Sequence, residues 1–99
     1  MINVTVLYPN KDDAKFDFDY YAVKHIPMVT RLLANDIEVS KGISSLTGAR
    51  PAFVCTARIR IHSTQEFSAS MARHSATILG DIPNYTNIEP IIQIDEVLT

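Results

Sequence analysis

Apolar residues recur along this 99-residue chain with two different periods. A period of two residues, typical of a β-strand, occurs in four stretches: 2–8, 37–44, 53–61 and 91–98. A period of about 3.6 residues, typical of an amphipathic helix, occurs at residues 17–34 and 64–80. The order βαββαβ predicts a single ferredoxin-like α+β domain over residues 1–99, in which an antiparallel sheet carries both helices on one face.

Local signals predict where both helices begin. Asp17 is a suitable N-cap for the first helix. Ser63, followed three residues later by Glu66, matches the capping box that starts a helix. Gly80 and Pro83 are expected to end the second helix.

A histidine lies on the apolar stripe of the first predicted helix. On a helical wheel with Phe18 at the origin, Tyr21 and His25 fall within roughly 60° of it. A buried imidazole needs partners for two nitrogens, and its usual pKa near ~6.5 lets the surroundings decide its charge. His25 is therefore either a core residue, bonded for example to the Val23 carbonyl that Pro27 frees, or an acid–base group. Pro27 also predicts a kink beside His25.

Four further side chains accompany His25 in the functional interpretation. Tyr21, one turn earlier, could hydrogen-bond the imidazole or polarise a substrate oxygen. His74 lies on the apolar stripe of the second helix, so the two histidines could converge on one cavity. Asp81 could orient a histidine by accepting its N–H, or could cap a turn. Tyr85, with Asn84 and Asn87, could close the pocket or pin its loop to the dimer interface.

A metal site and a haem site are the alternatives for the histidines. His25, His74 and one carboxylate could form a three-ligand metal site. No paired ligand spacing supports it, so we expect no metal and no cofactor. Haem binding through either histidine stays open. No glycine-rich dinucleotide motif follows a strand, which gives no support to hydride transfer.

Composition excludes several classes of partner. The net charge is −2 and the nine Lys and Arg residues are scattered, so we expect no nucleic-acid partner. No apolar stretch has membrane-spanning length, and the N-terminal segment lacks the pattern of a signal peptide. A lone cysteine, Cys55, cannot form an internal disulfide. We therefore expect a cytoplasmic protein.

One face of the predicted sheet is left uncovered by the helices. Five residues of mixed polarity are placed there by alternation: Asn3, Thr5, Leu7, Val54 and Thr56. Such a face contains enough apolar area to favour a second copy of the chain as its cover, so we expect a homodimer. Arg58 and Arg60 on this face could bind an anion, but we expect them to pair with Asp95 or Glu96 of another strand.

Several segments resemble, in order, those of the EthD-like family of the dimeric α/β-barrel superfamily, named for a protein of ethyl tert-butyl ether degradation. They are VLYPNK, FDFDYY, KHIPMV, GDIPNYTNIEP and QIDEV. Residues 35–51 depart from the family's pattern. The resemblance implies a protomer that dimerises through its open sheet face, with a pocket between sheet and helices. Residues that match the family motif are Tyr21, His25, Pro27, His74, Asp81, Pro83 and Tyr85.

The resemblance implies a small-molecule-binding homodimer and leaves the reaction open, because the family is functionally heterogeneous. One interpretation is a cofactor-independent enzyme of isomerase, cyclase, lyase or oxygenase type. It would carry out acid–base chemistry on a small apolar or aromatic compound in catabolism or secondary metabolism, with His25, Tyr21 and His74 as catalytic residues and Asp81 and Tyr85 as substrate-binding residues. The other interpretation is a non-catalytic accessory or ligand-binding protein.

Overall fold

The computed structural model describes all 99 residues, and its four strands form one antiparallel sheet. The strands are β1 (Ile2–Pro9), β2 (Ile37–Lys41), β3 (Phe53–Ile61) and β4 (Ile91–Glu96). Their order across the sheet is β2-β3-β1-β4, with one helical connection between β1 and β2 and another between β3 and β4. This arrangement confirms the predicted ferredoxin-like βαββαβ fold.

The strand register separates a covered face of the sheet from an open one. Val4 of the central strand β1 lies opposite Ile59 of β3 and Ile94 of β4, and it packs with residues of both helices. The adjacent Thr5 lies opposite Arg58 on the other face. By the same alternation, four of the five residues predicted for the open face lie there: Asn3, Thr5, Leu7 and Thr56. Val54 lies at an irregularity of the β1–β3 pairing and packs against buried core residues instead.

The first helix runs from Phe18 to Leu33 and changes its winding in the middle. An α-helical turn at Phe18–Tyr20 leads into a π-helical segment, Tyr21–His25, and then into a second α-helical segment, Ile26–Leu33. Asp17 caps the helix as predicted, since its side chain accepts the Tyr20 backbone N–H. This π-helical segment ends at His25, beside which Pro27 predicts a kink, and such a winding is often found at functional sites.

The second helix, Thr64–Gly80, begins at the predicted cap and covers the sheet incompletely. The Ser63 hydroxyl accepts the Glu66 backbone N–H at 3.1 Å. Ile78 is the only fully buried residue of the helix. A short 3₁₀ turn, Ile82–Asn84, follows directly and starts the loop that leads to β4.

Two hydrophobic clusters of different character form the core. The first is aliphatic and consists of Val4, Val29, Leu33, Ile59, Ile61 and Ile78. The second is largely aromatic and consists of Tyr8, Tyr21, Cys55, Tyr85 and Ile88. We call them the aliphatic and the aromatic cluster. They lie side by side between the sheet and the helices, so the composition of the core changes along the strands.

Strands β2 and β4 are shorter than predicted. The β2 strand ends at Lys41 rather than residue 44. At Gly42 the backbone lies so close to β3 that a Cβ atom would collide with the Phe53 carbonyl oxygen. The β4 strand ends at Glu96 rather than residue 98, and Leu98 is exposed. Both are edge strands, where alternation of side chains is a poor guide to the last paired residue.

The pairing predicted for Arg58 is wrong. Its guanidinium lies 3.8 Å from Glu38 of β2, the residue directly opposite it in the strand register. Asp95 of β4 instead accepts a hydrogen bond from the Thr5 hydroxyl of β1. The strand order decides this, because β1 separates β3 from β4.

None of the helices is both long and apolar enough to cross a membrane.

The cap of the second helix gives a direct test of its start. Replacing Ser63 with Ala leaves the Glu66 backbone N–H without its side-chain acceptor, so we expect the free energy of unfolding to fall by about 1 kcal/mol in urea denaturation. Ser68→Ala, an exposed position inside the same helix, is the control and should stay within about 0.5 kcal/mol of wild type. Equal stability of the two variants would contradict the assigned cap.

Candidate functional site

A cavity of about 60 Å³ lies between the sheet and the helices, where the aliphatic and aromatic clusters meet. Of its 19 lining residues, 17 are hydrophobic, and the two others are His25 and Pro90. No Lys, Arg, Asp or Glu side chain lines it. Among the side chains that line it, those with nitrogen or oxygen atoms are the imidazole of His25 and the phenols of Tyr8, Tyr21 and Tyr85.

His25 is buried, with 4% of its surface exposed, and both ring nitrogens have partners. Nδ1 lies 2.9 Å from Asp81 Oδ2, and Nε2 lies 3.4 Å from the Tyr85 hydroxyl. The backbone carbonyl of Val23, which Pro27 frees, is not the partner of the imidazole. Both partners come from the loop after the second helix, so the histidine joins two parts of the chain that are far apart in sequence.

Asp81 is the centre of a second set of hydrogen bonds. Its Oδ1 accepts the Tyr20 hydroxyl at 2.6 Å and the Asn84 side-chain amide at 2.9 Å, while Oδ2 faces His25. Burial alone would raise the pKa of Asp81, but the hydrogen bonds from Tyr20, Asn84 and His25 together hold it below its usual value. Asp81 is therefore a carboxylate at neutral pH and can only accept from Nδ1.

The protonation of His25 follows from burial and from Asp81. Burial lowers the pKa of His25 below its usual value and outweighs the opposite effect of the neighbouring Asp81. The ring is therefore neutral at pH 7, and its single proton is on Nδ1, which faces the carboxylate. The lone pair of Nε2 is left on the side of the ring that faces Tyr85.

Aromatic rings fix the orientation of the imidazole. Tyr21 stacks on His25 with ring centroids 5.4 Å apart and planes 16° from parallel, and the Tyr85 ring packs against it at 4.6 Å. The Tyr85 hydroxyl also lies 2.8 Å from the Tyr8 hydroxyl. Burial raises the pKa of Tyr8, Tyr21 and Tyr85, so all three phenols stay protonated at neutral pH.

The loop that carries Tyr85 is held against the chain segment before the first helix. The Asp17 backbone N–H donates to the Tyr85 carbonyl at 2.7 Å, and the Thr86 hydroxyl donates to the Lys15 carbonyl at 2.6 Å. Phe16 and Thr86 form an isolated β-bridge. These bonds hold the loop against the segment that precedes the first helix.

The structure brings four of the five predicted site residues together: Tyr21, His25, Asp81 and Tyr85. His74 is half-buried and does not line the cavity. Of the two roles considered for Asp81, the observed one is the orientation of a histidine, and Asp81 does not line the cavity itself. The phenol that hydrogen-bonds the imidazole is Tyr85, whereas Tyr21 stacks on it.

Two residues of the site, Tyr8 and Tyr20, are not predicted from the sequence. Tyr8 is the last residue of β1 whose side chain faces the helices. Alternation assigns this position to the core but does not indicate that the Tyr8 hydroxyl bonds the Tyr85 hydroxyl. Helical periodicity places Tyr20 on the solvent side of its helix, yet it is half-buried and its hydroxyl reaches Asp81. No local signal indicates either contact, because each joins residues that are far apart in the sequence.

No three His, Cys, Asp or Glu side chains lie close enough together to hold a metal ion. His25 and His74 in particular do not share a site.

The fold and the cavity define a class: ferredoxin-like α+β proteins with an apolar, histidine-containing cavity between sheet and helices. This chain is similar over 99% of its length to an EthD-like protein from Ralstonia eutropha JMP134, with 45% sequence identity, 92% of that chain covered and a TM-score of 0.92. The chain therefore belongs to the EthD-like family, as the segment resemblance predicted.

A second solved structure shares the fold. It is an ethyl tert-butyl ether degradation (EthD) family protein from Bacillus halodurans C-125, which has 16% identity, covers 99% of both chains and gives a TM-score of 0.71. For the chain described here, no family model matches the sequence and no curated protein matches it.

The lowered pKa of His25 predicts a pH dependence of stability. Because the unfolded state binds the proton more tightly than the folded state, stability should fall as the pH decreases through about 6.5 and further toward the folded pKa. His25→Gln removes this proton uptake. The urea concentration at the unfolding midpoint should therefore change less between pH 7 and pH 5 in this variant than in wild type.

The exposed His62 serves as the control, and His62→Gln should keep the wild-type slope. A His25→Gln variant that is as pH-sensitive as wild type would show that the imidazole is not held neutral by burial.

Proposed function

We propose that this EthD-like protein is a homodimeric, cofactor-independent enzyme that carries out acid–base chemistry on a small apolar organic molecule, with His25 as the acid–base group. The observation that carries the proposal is the hydrogen-bond pattern of His25 in the lining of an apolar cavity: Asp81 holds Nδ1, and Nε2 lies beside the hydroxyl of Tyr85, another lining residue. Tyr21 assists by keeping the ring in its plane. The cytoplasm suits a chain with a single unpaired cysteine.

The electrostatics of the site support a proton-transfer role. A general base at neutral pH must be unprotonated and within reach of its substrate, and His25 meets the first condition through burial. The Asp81 carboxylate stabilises the imidazolium that forms when Nε2 accepts a proton. The ring is therefore poised both to accept a proton and to return it.

The lining and volume of the cavity support a small apolar ligand. A water-sized group needs roughly 10–15 Å³ of such space, so about 60 Å³ accommodates about four to six non-hydrogen atoms. Larger compounds would have to extend toward the edge strand β4, where Ile92 lines the cavity and is half exposed. A compound of this kind suits a role in the degradation of small organic molecules.

The open sheet face and the edge strand β4 support the homodimer. Large apolar side chains are exposed on or just after β4: Ile91, Ile92, Ile94, Val97 and Leu98. An unpaired strand edge with apolar side chains favours association, and a second copy of the same chain is the cover most often found. The Thr5–Asp95 bond on the open face shows that this surface also contains internally satisfied polar groups.

A ligand found by thermal-shift screening of small neutral organic compounds allows the role of His25 to be tested. His25→Gln removes the basic Nε2 and keeps similar volume, so turnover should fall by about 10²–10⁴-fold while binding changes little. Turnover and binding are measured on the same preparations. Turnover that survives His25→Gln would contradict the assigned role.

Two further histidine variants complete this experiment. His62→Gln, at an exposed position, should behave as wild type. The sequence predicts a catalytic role for His74, but the structure places His74 outside the cavity lining, so we expect His74→Gln to change turnover by no more than about threefold. Ligand binding without turnover in wild type would favour the accessory, non-catalytic interpretation.

The oligomeric state is tested separately by multi-angle light scattering. The expected mass is twice the 11.1 kDa of one chain. Ile94→Lys places a charge on the exposed edge strand and should shift the population toward monomer, whereas Thr77→Lys, on the exposed side of the second helix, should not. A wild-type monomer would contradict the homodimer and leave the site geometry unaffected.

A further inference from the structure

The hydrogen bonds around His25 all point in one direction. Because Asp81 only accepts, His25 Nδ1 carries the proton, and Nε2 can only accept. The Tyr85 hydroxyl is therefore the donor to Nε2, and its oxygen accepts from the Tyr8 hydroxyl at 2.8 Å. The hydrogen bonds thus form a continuous series from Tyr8 through Tyr85 and His25 to Asp81.

The hydrogen bond between Tyr85 and His25 is the weakest of this series. The 3.4 Å between Tyr85 Oη and His25 Nε2 exceeds the usual range of such bonds, whereas the Tyr8–Tyr85 and His25–Asp81 bonds lie within it. Tyr85 and His25 both line the cavity. A ligand that accepts the Tyr85 proton would replace this long bond and leave the Nε2 lone pair free.

The charges of the cavity restrict which ligands can do this. No Lys or Arg side chain lines it, and the one adjacent carboxylate, Asp81, is already satisfied by three donors. A buried carboxylate or ammonium group on a ligand would have no free partner, which makes its burial costly. The cavity is therefore suited to a neutral molecule with an oxygen acceptor.

We propose that the substrates are neutral, enolisable carbonyl compounds, and that the Tyr85 hydroxyl donates to the carbonyl oxygen while His25 Nε2 removes a proton from the adjacent carbon. This inference rests on the proposed function of His25 and adds a second catalytic residue and a substrate class.

The proton-transfer step is balanced without any other reactant. The C–H bond breaks: its proton forms the Nε2–H bond, its electron pair forms the C=C bond of the enolate, and the π pair of the carbonyl moves onto the oxygen. Tyr85 donates to that oxygen, and Asp81 balances the imidazolium. Return of the proton from Nε2 to the same or another carbon completes an exchange or an isomerisation, with no change of oxidation state.

Tyr8 is a positioning residue in this scheme. Its hydroxyl donates to the Tyr85 oxygen, which orients the Tyr85 proton away from Tyr8 and strengthens it as a donor. Tyr8 is buried, with 2% of its surface exposed, and its ring packs edge-on against Tyr21.

The first test uses the wild-type protein and three probes of similar size. Cyclopentanone has the acceptor oxygen, methylenecyclopentane has the same shape without it, and cyclopentylammonium has the same number of non-hydrogen atoms but carries a charge. Ligand-observed NMR should show cyclopentanone bound about fivefold more tightly than methylenecyclopentane, as expected for one net hydrogen bond, and no binding of the ammonium compound. Proton NMR in D₂O should show loss of the α-proton signal of cyclopentanone faster than in buffer.

Three variants assign the roles. His25→Gln should reduce the exchange rate to that of buffer and leave the Kd of cyclopentanone within about threefold. Tyr85→Phe should slow exchange about 10²-fold and abolish the preference for the ketone over methylenecyclopentane. Tyr8→Phe should slow exchange several-fold at an unchanged Kd, a split that a merely structural role would not produce.

The outcomes separate this inference from the proposed function. Equal binding of the ketone and its hydrocarbon analogue by wild type overturns the donor role, and it needs no variant to fold. Exchange that is lost in His25→Gln and kept in Tyr85→Phe overturns the role of Tyr85 and leaves that of His25. Exchange that persists in His25→Gln overturns the proposed function itself.

Discussion

A buried imidazole must have hydrogen-bond partners for both nitrogens, and the organisation of this site follows from that constraint. His25 finds them in Asp81 and Tyr85, which belong to a loop more than fifty residues away in sequence. The same loop is bonded to the segment before the first helix, through Asp17 and the Phe16–Thr86 bridge. Loss of the imidazole partners would therefore loosen the contact between the two halves of the chain.

The division of the core gives the site its surroundings. An aliphatic cluster lies on one side of the cavity and an aromatic cluster on the other, so the imidazole faces apolar space while its polar bonds run through the aromatic side. Phenols suit this place, since they bury a large apolar surface and still offer one hydrogen bond each. The π-helical segment Tyr21–His25 places a stacked phenol and imidazole on the same side of the helix, next to Tyr85.

The state of the site depends on a balance between burial and a nearby carboxylate. Burial favours a neutral imidazole, and Asp81 favours a charged one, with burial the stronger effect on His25. Tyr20 and Asn84 also donate hydrogen bonds to the Asp81 carboxylate, which weakens the attraction of Asp81 for the proton of the His25 ring. A catalytic base needs this compromise, because an imidazole stabilised too strongly as a cation would not accept a proton at neutral pH.

The amino-acid sequence by itself determined the fold class, the strand-and-helix order, both helix caps and the burial of His25, because these depend on local periodicity and on capping side chains. The limits of β2 and β4, the partner of Arg58 and the place of His74 were decided by the tertiary structure. The order of the strands across the sheet and the packing of the helices on it set those features, and neither is encoded in a local sequence pattern. The Asp81–His25–Tyr85–Tyr8 chain likewise needs the folded loop, since hydrogen bonds between residues distant in sequence leave no spacing signature.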